Sequence, residues 1–370
     1  MSCLKTAIER TRDFYAMKKN APFLQKEFGF YCMDRWVSEG HLKEGDDLSA
    51  LFGYDTDGIM SLWGLGWCEA AFIPLFEEEI LEDRGKYELV RDFAGRHVLY
   101  FKGRRQGFMP EYVAHPVTDR DSWERDVKWR LDPGASGRFD ESDRLLPKAE
   151  ELIGKGGMVA QCLIGGYMYL RSLVGPEGIL YMVYDDPELV HDMMRAWFDL
   201  ADAVIAYHQK RVTLDEVFLA EDICYKSGPL ISPDMMREFL FPYYQQLLTN
   251  VKRRQIDQSR KLHIQIDSDG DCRPVIPVYR EIGMDYMSPF EVASGCDVVE
   301  LRKQHPDLLM RGGVDKRILA AGKDAISREV ERVMPFMKEC GGYMPMCDHG
   351  VPEEVSFEDY MFYRELMKGF

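Results

Sequence analysis

The most informative stretch of this chain lies near its C-terminal end and reads Gly341-Gly342-Tyr343-Met344-Pro345-Met346-Cys347-Asp348-His349-Gly350-Val351-Pro352. It places a thiol, a carboxylate and an imidazole in three consecutive residues, directly after a short apolar run. A parallel α/β barrel carries its chemistry in such loops, at the carboxyl ends of its strands. The stretch therefore predicts a late barrel strand that is followed by functional side chains.

Working outward from this stretch, short apolar runs alternate with longer amphipathic ones along the chain. This alternation is typical of βαβ units on a parallel sheet. Helices are predicted at Pro187–Gln209 and Ala325–Met337, and Ser232-Pro233-Asp234 starts another. The pattern predicts an α/β fold, a TIM (β/α)8 barrel with an N-terminal extension. The candidate barrel strands are Glu27–Cys32, Gly58–Trp63, Met158–Ile164, Glu216–Ala220, Leu262–Ile266, Tyr286–Ser288, Leu308–Arg311 and Gly342–Met346.

One region departs from the alternation. Tyr87–Val90 and His97–Phe101 are separated by a short turn and are typical of an antiparallel β-hairpin. Polar sequence follows as far as Asp132. We interpret 87–132 as a hairpin-containing insertion over one end of the barrel, and the whole of 1–370 as a single barrel domain.

The composition narrows the classes of function. A net charge of -16 argues against nucleic acid as a partner, because phosphate binding needs clustered lysine and arginine. The longest apolar stretches are too short to cross a membrane, and the first residues carry charges where a signal peptide needs an apolar core. Nine cysteines without CxxC spacing favour a reduced, cytoplasmic chain.

Ionisable residues follow five successive late strands of the predicted barrel. Because parallel strands end at the same rim, these side chains are expected to gather there. Alternation along a strand sends one of the adjacent Glu221 and Asp222 inward. For Asp271 and Asp315 the alternative is a helix N-cap, a common role for an aspartate after a strand. The residues at the strand ends are Glu221, Asp222, Asp267, Asp269, Asp271, Glu291, Asp315, Lys316, Arg317, Cys347, Asp348 and His349.

His263, Gln265 and Asp267 form a continuous polar face on one predicted strand. Inside a barrel such a face points into the pocket near the end of the strand. The alternative for His263, which lies in an apolar run, is a buried histidine of the core.

Cys347 and His263 together supply the thiolate and the imidazole that zinc prefers. Two ligands do not complete a zinc site, so Glu221, Asp222 or His349 would have to join them. His349 can instead donate a proton or hydrogen-bond an anionic group of a substrate.

Several segments resemble the uroporphyrinogen decarboxylase superfamily, and the resemblance extends from about Phe52 to the end of the chain. It implies a TIM barrel with its site at the carboxyl ends of the strands. The segments that carry the resemblance are Gly341–Val351, Ser356–Tyr360, Ser227–Pro233, Gly165–Tyr167 and Gly312–Asp315.

The chain is more similar to the cobamide-dependent methyltransferase-like branch of the superfamily than to its decarboxylases. The decarboxylases carry an early Arg-Gln-Ala-Gly-Arg-Tyr signature, which this chain lacks. Thiol-methylating members of the other branch use a zinc site written His-x-Cys with a distant Cys. His263 and Cys347 match the outer two ligands, but Gln265 stands in place of the middle cysteine. An amide is a poor zinc ligand, so this departure favours removal of methyl groups over thiol methylation.

The resemblance and the residues lead to one functional hypothesis. The protein is expected to be a corrinoid-dependent methyltransferase that takes a methyl group from a small O- or N-methyl donor, such as a methoxy-aromatic compound. The acceptor is a cobamide carried by a partner corrinoid protein. Zinc is the expected metal, with His263, Cys347 and Glu221 as ligands; the alternative is that no metal is used and an acid such as Glu221 or His349 protonates the leaving group. The expected catalytic residues are Asp222, Gln265, Asp267 and His349, and the expected substrate-binding residues are Glu221, Glu291, Tyr167 and Asp315.

Two alternatives stay open. A decarboxylase of a small carboxylated substrate would use Asp222 or Asp267 to stabilise a protonated intermediate. A non-catalytic barrel would only bind a ligand in its pocket, although the ionisable residues at five strand ends argue against it. A homodimer is left open as well.

Overall fold

Seven parallel strands form the central sheet of the computed structural model, which describes residues 5–105 and 110–370. Met158–Ile164 and Glu216–Ala220 are buried along their whole length, as expected of strands with helices outside and packed side chains inside. The predicted α/β barrel is confirmed. In chain order the strands, each paired with the next, are Ile59–Leu62 (β1), Met158–Ile164 (β2), Glu216–Ala220 (β3), His263–Asp267 (β4), Tyr286–Ser288 (β5), Leu309–Arg311 (β6) and Tyr343–Met344 (β7).

An extended N-terminal segment takes the eighth position, beside β7. The predicted strand Glu27–Cys32 is wrong as a regular strand, because only Phe30 forms a bridge, in parallel with Val351. The Glu27 carboxylate accepts the backbone N–H of Cys347 at 2.9 Å. A side chain thus takes a hydrogen bond that a regular ladder would give to a carbonyl, which explains why the strand is interrupted.

Helices link the strands, and several begin at capped residues. Pro187–His208 follows Asp186, whose side chain accepts the N–H of Leu189. The predicted helix Ala325–Met337 is longer than expected at both ends. Among the described residues no helix is long and apolar enough to cross a membrane. The α-helices are Ala7–Tyr15, Met33–Ser38, Leu48–Phe52, Arg120–Ser122, Asp140–Gly154, Gly166–Val174, Pro176–Asp185, Pro187–His208, Pro233–Met235, Phe241–Arg254, Ile276–Tyr279, Val298–Gln304, Lys316–Leu319, Lys323–Cys340 and Phe357–Met367.

The inserted hairpin is part of a four-stranded antiparallel sheet. The two predicted strands are present, and one further strand flanks them on each side, so the sheet begins before the predicted start of the insertion. Residues 106–109 of the predicted insertion lie outside the described residues. The assignment of 1–370 to a single domain stays a prediction. The strands of this sheet are Glu79–Arg84, Tyr87–Arg91, His97–Phe101 and Glu111–Ala114.

The first helix, Ala7–Tyr15, closes the amino-terminal end of the barrel. The Tyr15 hydroxyl donates a hydrogen bond to Glu216, the first residue of β3, and its ring lies 4.9 Å from that of His263, the first residue of β4. Tyr286 packs edge-on against Tyr15, with the ring centroids 6.0 Å apart. These aromatic rings form a floor, so any ligand has to enter from the carboxyl ends of the strands.

The close approach of β6 to the loop after β5 yields a prediction. Gly312 has φ +101°, and a Cβ added there would lie 2.0 Å from the carbonyl oxygen of Pro289. Gly312→Ala should lower the free energy of unfolding by about 3 kcal/mol, because backbone strain and overpacking add. Gly53→Ala is the matched control: φ is +70° and nothing lies within 4 Å, so only a strain cost of about 1 kcal/mol is expected. Equal urea midpoints for the two variants would contradict this packing.

Candidate active site

A cavity of about 580 Å³ opens at the carboxyl ends of β3 and β4. We call it the mouth cavity. Its walls combine apolar and aromatic side chains with a concentration of ionisable ones, the usual composition of a ligand-binding pocket. The apolar lining is Phe28, Trp67, Tyr112, Met168 and Pro176, and the charged or titratable lining includes Glu69, Arg96, His115, Arg171, Asp222, Asp267, Asp269 and His349.

One backbone carbonyl brings the carboxylates of two strand ends together. The Asp267 carbonyl oxygen accepts the N–H of Glu221 at 2.9 Å and that of Asp222 at 3.0 Å. Asp222 adopts φ +40°, an uncommon conformation for a residue with a side chain. Its carboxylate lines the mouth cavity and accepts a hydrogen bond of 2.6 Å from Arg171. Asp222 is therefore the inward member of the Glu221–Asp222 pair.

Asp269 is the titratable group best suited to hold a proton near neutral pH. Burial, and then the negative charges of Asp222, Asp267 and Glu291, together raise its pKa to about 7. Carboxylates this close to one another resist simultaneous ionisation. The pKa of Asp267 is raised as well, chiefly by burial.

His349 lies beside Asp269, with Nε2 3.7 Å from its Oδ2. The ring stacks on Tyr31, whose hydroxyl lies 3.2 Å from Nδ1, and Phe28 packs 5.3 Å away. Burial, and then the positive charge of Lys316, lower the pKa of His349. A neutral imidazole is therefore the favoured form, able to accept a hydrogen bond from a protonated Asp269.

Three predicted site residues serve the framework and do not line the mouth cavity. Glu221 is fully buried, accepts hydrogen bonds from the Tyr244 hydroxyl at 2.6 Å and the Tyr167 N–H at 3.1 Å, and has a pKa raised by burial to about 7. The ring of Tyr167 is itself fully buried. Asp315 caps the helix Lys316–Leu319 by accepting the N–H of Arg317 at 2.9 Å, as its alternative interpretation proposed.

Gln265 and Glu291 lie one layer away from the mouth cavity. Gln265 is fully buried and donates to the Ser288 hydroxyl at 2.7 Å, while its own carbonyl oxygen has no partner among the described residues. Glu291 accepts the N–H of Gly270 at 3.0 Å, which holds the loop that carries Asp269. Both residues position the loops around the site.

The predicted zinc ligands do not come together. His263 is the first residue of β4, at the closed end of the barrel, where its Nδ1 lies 2.9 Å from Asp285. Cys347 follows the last strand, is buried, and has its thiol pKa raised by burial. Glu221 has the partners given above. Within residues 5–105 and 110–370, no three His, Cys, Asp or Glu side chains are grouped so that they could hold a metal ion. These residues do not fit a zinc site.

A second cavity of about 400 Å³ lies inside the barrel below the mouth cavity and shares Phe28 and Trp67 with it. We call it the inner cavity. Its lining includes Trp63 and Phe218 on the walls, and Lys26, Glu216 and Arg311. Sequence reasoning missed both cations and the wall tryptophans. An arginine as the last residue of a predicted barrel strand was the one available signal, whereas a lysine in an irregular segment offers none.

The family model of uroporphyrinogen decarboxylase (URO-D) matches residues 155–370. The chain belongs to this family. It is 26% identical over 187 residues to a uroporphyrinogen decarboxylase of Alcanivorax borkumensis, a match that spans 48% of this chain and 47% of that protein. The chain thus matches about half the length of this curated relative. A solved methyltransferase from Methanosarcina mazei superposes with a TM-score of 0.56 at 15% identity, over 99% of both chains, and so shares the fold.

The charge cluster at the mouth yields a second prediction. Asp222→Asn should lower the pKa of Asp269, because it removes a negative charge and frees the positive Arg171. The pKa should stay above the usual value of about 4, since burial persists. Carboxyl ¹³C NMR titration measures it, with the signal assigned by its loss in Asp269→Asn. Asp234→Asn, at a side chain 93% exposed, is the matched control. A wild-type pKa of Asp269 near 4 would rule out the buried cluster.

Proposed function

We propose that the protein is a demethylating methyltransferase. It would take a methyl group from a small O- or N-methyl donor, such as a methoxy-aromatic compound, and pass it to the corrinoid of a separate protein. The observation that carries the proposal is Asp269, an acid with a pKa of about 7 on the wall of an aromatic-lined cavity. Membership of the URO-D family and the fold shared with a methyltransferase support it.

The proposed chemistry needs a proton donor. When the bond between the methyl carbon and the oxygen or nitrogen of the donor breaks, the electron pair stays on the heteroatom. An acid placed there neutralises the developing charge, and it works best when its pKa lies near the operating pH. A reduced corrinoid, carried by the partner protein, would supply the nucleophile that accepts the methyl group. Asp269 would supply the proton, and His349 would hold that proton in place before transfer.

The charges of the mouth cavity favour a neutral or cationic methyl-bearing group. Asp222 is neutralised by Arg171 at 2.6 Å, and Arg96 is already paired with Asp92 and Glu69. Asp267 has Arg311 at 3.7 Å, so the carboxylates of the mouth outnumber their paired cations whenever Asp269 is ionised. A substrate with many carboxylates, as a porphyrinogen has, would be repelled there.

Decarboxylation of a small carboxylated substrate is the second candidate, because the family model bears the name of a decarboxylase. In that reaction Asp267 or Asp222 would stabilise the protonated intermediate. Decarboxylation needs no corrinoid. The two proposed reactions can therefore be distinguished by whether product formation requires a corrinoid. No step of either proposal uses a metal, since the predicted ligands do not fit one.

The function is tested by product analysis with and without a corrinoid. The protein is incubated with 2-methoxyphenol, trimethylamine or 4-methoxybenzoate, with reduced cobalamin in place of the partner protein. We expect demethylated product only when cobalamin is present, and Asp269→Asn should lower the rate at least about 100-fold, the usual contribution of a general acid. Asp234→Asn should keep the wild-type rate.

Two outcomes would count against this function. Carbon dioxide released from 4-methoxybenzoate without cobalamin would establish the decarboxylase instead. Recovery of all three compounds unchanged in the presence of reduced cobalamin would leave only a ligand-binding barrel.

A further inference from the structure

The inner cavity is lined by two cations, Lys26 and Arg311, and the ion pair of Arg311 with Asp267 is the one ion pair that either of them makes to a described residue. Lys26 has neither a hydrogen bond nor an ion pair through Nζ to any described residue, and it experiences Arg311, Asp55 and Glu216 only as charges at a distance. Arg311 has Asp267 at 3.7 Å and the Tyr286 hydroxyl as its polar neighbours. A guanidinium carries five N–H donors, so these two neighbours leave donors of Arg311 available to a ligand.

The acidic groups that border the inner cavity are occupied by other donors. Glu216 accepts a hydrogen bond from the Tyr15 hydroxyl on the barrel floor. Glu27 accepts one from the Tyr360 hydroxyl at 2.8 Å and one from the N–H of Cys347 at 2.9 Å. Burial raises the pKa of both acids, that of Glu27 to about 7, which weakens them as counter-ions.

Two cations that line the same cavity in a barrel interior are costly unless anions balance their charge. The cost is visible at Lys26, because burial and the positive charge of Arg311 lower its pKa. A carboxylate between the two side chains would accept hydrogen bonds from both and, together with Asp267, balance their two positive charges.

The walls beside the cations fit a flat ring. Trp67 stacks on Phe218 with centroids 5.2 Å apart and an interplanar angle of 13°, and Trp63 lies 5.5 Å from Trp67. Trp67 lines both cavities, so a ring against it would reach from the inner cavity into the mouth cavity. Arg311 and Asp267 mark the junction between the cations below and the carboxylates above.

We propose that the inner cavity is a carboxylate-binding subsite in which Lys26 and Arg311 hold the acid group of an aromatic substrate. This inference rests on the proposed function and narrows its substrate: the methyl donor is a methoxy-aromatic carboxylic acid. Its carboxylate lies low in the barrel, its ring packs on Trp67, and its methoxy group points to Asp269 at the mouth. The acid is an anchor and stays bonded to the ring throughout the reaction.

Binding calorimetry on the full chain, without any corrinoid, tests the subsite. The probes are 4-methoxybenzoate and its neutral amide, 4-methoxybenzamide, which have nearly the same shape. The acid should bind at least about tenfold more tightly than the amide, because only the acid accepts charge-assisted hydrogen bonds from both cations. Lys26→Gln and Arg311→Gln should each remove most of this preference, while Lys26→Arg should keep it.

The controls distinguish a variant that has lost only the carboxylate subsite from a variant that is no longer correctly folded. Lys43→Gln changes an exposed lysine outside both cavities and should leave the preference intact. Each variant should still bind the amide, which reports an intact cavity. Equal affinities of the wild-type protein for acid and amide, or a preference that survives both glutamine variants, would overturn the subsite. Because no methyl transfer is measured, a failure of the proposed function alone would leave this binding result unchanged.

Discussion

The site depends on one backbone carbonyl. The oxygen of Asp267, the last residue of β4, accepts the N–H groups of both Glu221 and Asp222 just beyond β3. This pairing turns Asp222 into the cavity at φ +40° and leaves Glu221 buried in the framework behind it. The carboxylates of Asp222 and Asp267 are thereby held next to the loop of Asp269. Three acids in a half-buried space resist simultaneous ionisation, so Asp269 keeps a proton up to a pH of about 7, and this proton is available for catalysis.

The barrel was predictable because its signals are local. Buried strands such as Met158–Ile164 are nearly continuous apolar runs. The start of a capped helix such as Pro187–His208 is marked in the sequence by its capping residue. The rim was predictable for the same reason: parallel strands end on one side, so Asp222, Asp267 and His349 had to approach one another. The irregular eighth position was not predictable, since it depends on a hydrogen bond between Glu27 and a residue more than 300 positions away.

The direction of the strands keeps the predicted zinc ligands apart. His263 and Asp267 share one polar face, but a strand has two ends, and His263 lies at the closed one beside Tyr15. The role of Lys26 and Arg311 in the inner cavity could not be predicted from the sequence, because it depends on the groups that surround them. A buried cation is ordinary when it is paired, and only the folded chain shows that Glu216 and Glu27, the acids lining the inner cavity, already have other donors. Residue type and spacing do not show which hydrogen-bond donors a carboxylate has in the folded chain.

The central claim is that Asp269 carries the proton used in demethylation. The most direct test is the pH dependence of single-turnover demethylation of 4-methoxybenzoate with reduced cobalamin. Asp269 is protonated below its pKa of about 7, so the rate constant should be highest at low pH and fall about tenfold per pH unit above that pKa. Asp269→Asn should be slow and flat over the same range. A wild-type rate that stays constant up to about pH 9, or a variant that keeps the same fall above pH 7, would contradict the account.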